Sequence, residues 1–180
     1  MTASPSHILS FWFSDAVRPF WFARSDDLDR QIADQFSATH SAAHNGDLDH
    51  WIDAPDSALA LTITLDQFPR NLFRGTARSF DSDARAREHA RTALQRGYDL
   101  MQPDDRRPFF YLPFMHSEDL ADQEKSVALY QALGAETSLT FARDHHDIIA
   151  RFGRFPHRNA ALGRTTTPDE AAFLKTHPGF

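Results

Sequence analysis

The stretch from Ala58 to Leu65 decides the fold class of this chain. Leu59, Leu61, Ile63 and Leu65 alternate with Ala60, Thr62 and Thr64, which is the period of a half-buried strand. The same residues also suit a helix, because Asp56-Ser57 offers a cap and Leu61, Leu65 and Phe68 recur at helical spacing. Taken alone, the two readings are near even. No other segment has the character to pair with it as a strand, and a lone strand leaves its backbone hydrogen bonds unmade. The segment is therefore expected to be helical, and the chain all-α.

Helix punctuation elsewhere agrees. Ser25-Asp26-Asp27 supplies an N-cap and an acidic first turn, Leu28, Ile32, Phe36 and Ala43 follow at helical spacing, and Asn45-Gly46 is a stop. Asp81-Ser82-Asp83 opens a helix whose Ala86, Ala90, Ala93 and Leu94 make a narrow stripe suited to close helix approach, ending at Gly97. Ser117-Glu118-Asp119 opens another, with Ser117 as N-cap, Leu120, Val127 and Tyr130 inward and Gly134 as stop. Thr137 opens a helix carrying Phe141, His145, Ile148, Ile149 and Phe152 on one face. Thr167-Pro168-Asp169-Glu170 opens a short last helix with Pro at its first position. The blocks Ile8-Leu9-Ser10-Phe11-Trp12-Phe13 and Phe20-Trp21-Phe22 read as core anchors, with an aromatic ligand cage as the lesser reading.

Size and charge narrow the function. At 180 residues, a single helical domain spanning 1–180 is expected. Sixteen Phe residues bring core volume without polar atoms to satisfy. A net charge of −6 argues against general nucleic-acid binding. The absence of cysteine excludes structural disulfides and thiolate metal sites. The N-terminus has no basic region followed by an apolar run, and no apolar run reaches the roughly eighteen residues of a membrane span. A cytoplasmic protein without membrane association is expected. No GxGxxG, GxxxxGK[ST] or GxSxG pattern is present, so no cofactor is implied.

The polar residues that could carry chemistry fall into three clusters. Asp66-Gln67-Phe68-Pro69-Arg70-Asn71 closes the very apolar segment just described, and Asp66 is a candidate internal partner for an arginine of the third cluster. His116-Ser117-Glu118 follows a run of bulky apolar residues, and His116 with Glu118 makes only a weak metal-ligand pair without HExxH spacing. His145-His146-Asp147 through Arg154-Phe155-Pro156-His157-Arg158-Asn159 mixes imidazoles and guanidiniums with Phe and Ile. Apolar neighbours draw such a segment inward, and buried cations need partners or an anion. On the helical face, His145 lies with the apolar residues, whereas Asp147 and Arg151 are spaced as a surface ion pair. The Phe-Pro turn at Phe155 echoes the one at Phe68, each followed closely by Arg-Asn. Asp66, Gln67, Arg70, Asn71, Arg154, His157, Arg158 and Asn159 are the ligand-binding candidates, with Arg164 as an extension. His145, His116 and Glu118 are the candidates for proton transfer.

Three segments, LDQFPRNLFRGT, FFYLPFMHSEDLADQ and HHDIIARFGRFPHRNAALGR, together resemble the bacterial family catalogued as domain of unknown function 924. The likeness runs from ILSFWF to the closing PGF. It implies an all-helical, tetratricopeptide-repeat-like fold of stacked antiparallel helix pairs, although the chain shows no recognisable 34-residue repeat. It implies no reaction and no catalytic residues. Two functions remain open. One is a pocket for a small phosphate- or carboxylate-bearing ligand, with or without chemistry. The other is a helical module that binds a peptide or protein, its polar motifs serving to lock helix ends. A metal-dependent enzyme ranks below both.

Overall fold

The computed structural model describes residues 1–177 and 179; Pro178 and Phe180 of the closing Pro-Gly-Phe lie outside the described residues. Among the described residues every regular element is a helix, as expected from the unpaired Leu59–Leu65 segment. In order these are α1 (Pro5–Trp12), α2 (Asp26–Asn45), α3 (Pro55–Asp66), α4 (Phe68–Leu72), α5 (Asp83–Gln95), α6 (Pro108–Met115), α7 (Leu120–Leu133), α8 (Glu136–Phe152) and α9 (Pro168–Leu174). Short 3-10 turns occupy several connections. Two compact units divide the chain, one of Met1–Arg74 with Arg78–Pro113, the other of Gly75–Ala77 with Phe114–Phe180.

In the first unit α3 is the central element. Every residue from Ala58 to Asp66 is buried, because α1, α2, α5 and the turn Asp49–Asp53 pack around it. A helix enclosed on all sides is apolar all round, which is why its sequence carries no clean helical stripe. Its two threonines satisfy their hydroxyls on the helix itself, Thr62 donating to the Ala58 carbonyl at 2.9 Å and Thr64 to that of Ala60 at 2.7 Å. Ala86, Ala90 and Ala93 are fully buried and let α5 lie close to α3. Asp83 begins α5 as the Asp81-Ser82-Asp83 start implies, and Ser82, at its N-cap position, donates its hydroxyl to the Leu65 carbonyl at 2.6 Å. Trp12 stands edge-on to Phe68 and Phe109, with ring centroids 5.7 and 5.8 Å apart.

The block at Phe20 departs from its expected role as a core anchor. Phe20 and Phe22 are 42% and 77% exposed. The 3-10 turn Arg18–Phe20 ends there, and its tight winding leaves only Trp21 facing the unit, its indole N–H donating to the Trp12 carbonyl at 2.9 Å.

In the second unit α7 and α8 form a hairpin. They pack extensively side by side, and the left-handed Gly134 (φ 72) ends α7 two residues before α8 begins. The cap of α7 is Asp119, which accepts from the Ala121 N–H at 2.8 Å, rather than Ser117, whose hydroxyl donates to Asp122 at 2.9 Å. This shift leaves Leu120 exposed at the first helical position. Helix α8 starts one residue before Thr137, and its Phe141 is half exposed while His145, Ile148 and Ile149 are buried. Asp147 takes His146 as partner (3.0 Å), and Arg151 lies over the rings of Phe152 and Phe173 (4.6 and 5.7 Å), so the expected Asp147–Arg151 pair does not form. Thr167 opens α9 with a full capping box to Glu170.

Candidate functional site

The polar cluster after α3 closes on itself within the first unit. Arg70 forks onto Asp83, with its two terminal nitrogens 3.1 and 3.3 Å from the carboxylate oxygens, and also donates to the Asp66 carbonyl. The Asp66 carboxylate is 3.7 Å from Arg70 and accepts from Gln67 Nε2 at 2.6 Å. Asn71 and Arg74 both donate to Asp29 at 2.8–2.9 Å. Burial opposes ionisation of Asp29, but the bonds from Arg74 and Asn71 outweigh it and hold its pKa below the ordinary carboxylate range. Asp29 and Asp83 both stand in helix first turns, where the backbone also favours a negative charge. The cluster ties the start of α2, the end of α3, α4 and the start of α5 together.

The second unit gathers the other candidates around Phe155, which is fully buried. The left-handed Gly153 (φ 67) ends α8 and turns the chain into this segment. The Phe155 N–H donates to Glu118 at 2.8 Å. Arg164 forks onto the same carboxylate at 2.8 and 3.0 Å and also donates to the Phe155 carbonyl at 3.1 Å. Burial raises the pKa of Glu118, yet these bonds lower it further, so it is a fixed carboxylate at neutral pH. On the other side of the turn Arg154 forks onto Glu170 at 2.7 and 2.9 Å, and Asn159 donates to the same group at 3.2 Å. Arg154 and then the Thr167 N–H bring the Glu170 pKa down to about 2.

Three imidazoles and one guanidinium complete the cluster. The rings of His145 and His157 each stand 5.5 Å from Phe155, and Arg158 lies over the Phe155 ring at 4.5 Å. The ring of His116 is 6.4 Å from that of His145, and Arg158 donates to the His116 carbonyl at 3.0 Å. His145 Nδ1–H donates to the Phe141 carbonyl at 2.8 Å, which fixes the neutral tautomer with its lone pair on Nε2. Burial first, then the neighbouring His116, pushes His145 down to about 3; burial and Arg158 push His157 down to about 4. Both are neutral at pH 7. Such rings suit hydrogen bonding better than proton transfer, because an efficient general base has a pKa near the working pH.

The structure therefore brings together His116, Glu118, His145, Arg154, His157, Arg158, Asn159 and Arg164, while Asp66, Gln67, Arg70 and Asn71 belong to the first unit's own cluster. Sequence reasoning missed Asp29 and Asp83 as arginine partners, and gave Glu170 only the role of a helix start. The signal was present, since each is an acidic residue in a helix first turn, but that position explains itself locally and hides a distant partner. A cavity of about 310 Å³ is lined by Glu124, Val127, Arg143 and His146, and another of about 200 Å³ by residues including Val17, Phe20 and Leu28; none of them is among the ligand-binding or proton-transfer candidates, although Phe20 belongs to the block whose lesser reading is an aromatic ligand cage. Among the described residues, no group of three His, Asp or Glu side chains is arranged to hold a metal ion. Nor is any helix among them long and apolar enough to cross a membrane.

Comparison with known proteins agrees with this architecture. No curated protein matches the chain. Among solved structures, it is similar to the protein of unknown function ATU0120 from Agrobacterium tumefaciens, at 44% sequence identity and a TM-score of 0.92, covering 96% of this chain and 97% of that one. The family described as bacterial protein of unknown function (DUF924) matches residues 8–178. On both grounds, the chain belongs to the DUF924 family of bacterial proteins.

Proposed function

We propose that the second unit binds a small phosphate- or carboxylate-bearing ligand at the cluster of His116, His145, His157 and Arg158. The observation that carries this reading is the gathering of three imidazoles and a buried guanidinium around Phe155. Burying cationic and potentially cationic groups together is costly, and an anion offsets that cost by accepting from all of them. A buried Arg164 Nε–H, without a partner among the described residues, adds a donor beside the cluster. Arg154–Glu170 and Arg164–Glu118 act as its frame. Arginine forks suit the planar oxygen pairs of carboxylate and phosphate. With His145 and His157 held far below neutral pKa and Glu118 held ionised, the reading is binding rather than acid–base catalysis.

Thermal unfolding with inorganic phosphate and with citrate tests it. Either ligand at about a hundred times its Kd adds about 2.7 kcal/mol to the parent, and Arg158→Gln abolishes the gain. No stabilisation by either anion sinks the reading. A second reading, in which the cluster only locks helix ends, rests on the two bidentate arginine pairs. It predicts that Arg158→Gln lowers stability while no anion raises it.

A further inference from the structure

Phe22, on the connection between α1 and α2, is 77% exposed, yet it does not hang on a loose segment. Successive turns wind the chain from Val17 to Ala23, with the N–H groups of Phe20, Trp21 and Ala23 donating to the carbonyls of Val17, Arg18 and Phe20 at 2.9, 3.4 and 3.3 Å. Trp21 anchors these turns to the unit, its ring edge-on to Phe13 and Phe109 at 5.5 and 4.8 Å. The fold therefore holds an aromatic ring out in water on a rigid base, which costs hydrophobic free energy unless something covers it.

The same surface carries a hole. The lining of the cavity of about 200 Å³ includes the apolar Ala16, Val17, Phe20 and Leu28 and the polar Asp27 and Gln31. Val17 and Leu28 are buried, so the hole reaches the packed interior. It is smaller than the roughly 300–1,000 Å³ of small-molecule sites and suits a single side chain. Phe22 is not part of its lining, although it stands only two residues beyond Phe20.

We infer that this surface binds a second copy of the chain, the Phe22 ring of each protomer entering the hole of its partner about a two-fold axis. Such an axis brings each ring to the other's hole at once, so one loop supplies both halves of the contact. The rigid turns leave little ordering cost to be met on association. The charges agree with this arrangement. Arg24 lies two residues beyond the ring, and Asp27 lines the hole. Within one chain they pair with Asp26 and Arg30, but all four side chains are exposed, and pairs of that kind are worth little. Arg24 can therefore turn to the partner's Asp27 once the ring is seated. A lipid surface fits less well, because Asp26 and Asp27 follow the rings closely and repel anionic headgroups.

Sedimentation velocity of the full chain at rising concentration tests this. The parent is expected to pass from one chain to two, and Phe22→Ser to weaken the association by about tenfold or more without changing the unfolding temperature. Arg24→Asp and Asp27→Arg each set like charges against one another across the axis and weaken the homodimer. An equimolar mixture of these two variants restores dimers of mixed composition, because every charge again meets its opposite. A parent that stays a single chain up to its solubility limit overturns the inference; if it then floats with vesicles of phosphatidylcholine and phosphatidylglycerol, the surface is one for lipid. Association undiminished by Phe22→Ser also overturns it, as does a mixture no more associated than either variant alone.

Discussion

Lowering the pH from about 6.5 to about 4.5 should destabilise both units through one buried imidazole in each, before most carboxylates titrate. His40 in the first unit and His145 in the second are each only 6% exposed. Burial and the nearby His44 push His40 down to about 4, and burial with His116 pushes His145 down to about 3. In the unfolded chain either ring takes up a proton near pH 6.5. In the fold it resists until the pH approaches the lower value. Below about pH 6.5 the unfolded state therefore binds the extra proton, and stability falls as pH falls. The slope grows from about half to nearly all of 1.4 kcal/mol per pH unit as the pH falls below the unfolded pKa, so each imidazole removes roughly 2 kcal/mol over the two units. That is a large share of the 5–15 kcal/mol that typically holds a domain together. Urea unfolding followed by circular dichroism at half-unit pH steps measures the slope. ¹H NMR of the ring protons assigns it, since neither ring should titrate above about pH 5. Stability that stays flat down to pH 5, or an unchanged slope in His40→Gln, would refute the reasoning.

Other perturbations test the fold. Leu61 is fully enclosed in α3, so Leu61→Ala is expected to cost about 2–5 kcal/mol in urea unfolding. Thr167→Ala removes the capping box of α9 and should cost about 0.5–2 kcal/mol, with faster amide exchange confined to the last helix. Gly153→Ala forces a Cβ into a left-handed turn (φ 67) where no neighbouring atom obstructs it, so the loss should be only about 1–2 kcal/mol of backbone strain.

The segment that was hardest to classify became the centre of the first unit for one physical reason. Helical and strand periods differ only when one face is polar, and α3 has no polar face. Its helicity was legible from what surrounds it in the chain, the lack of any strand partner. Cap residues located α2 and α9 closely, because an N-cap is a local interaction. Ser117 misled for the converse reason: its hydroxyl found an acceptor in Asp122 that no local pattern announces. The same limit governs the polar clusters. The echo between the Phe68 and Phe155 turns is real in sequence, but Arg70 meets Asp83 whereas Arg154 meets Glu170, and the two turns belong to different units. Apolar spacing did place His145 inward correctly. It did not show that His116, His157 and Arg158 would join it, because that depends on how the hairpin and the following turn close around Phe155.

The most direct test of the binding claim is an NMR titration of the imidazole resonances of His116, His145 and His157 with inorganic phosphate and with citrate at pH about 6. An anion at the cluster favours the charged form of each ring, so its pKa should rise and the complex should tighten as pH falls. The account predicts that at least one of the two anions shifts these resonances together and raises the pKa of His145 and His157, and that Arg158→Gln abolishes the response. Imidazoles that ignore both anions, in a parent protein that remains folded, would contradict it.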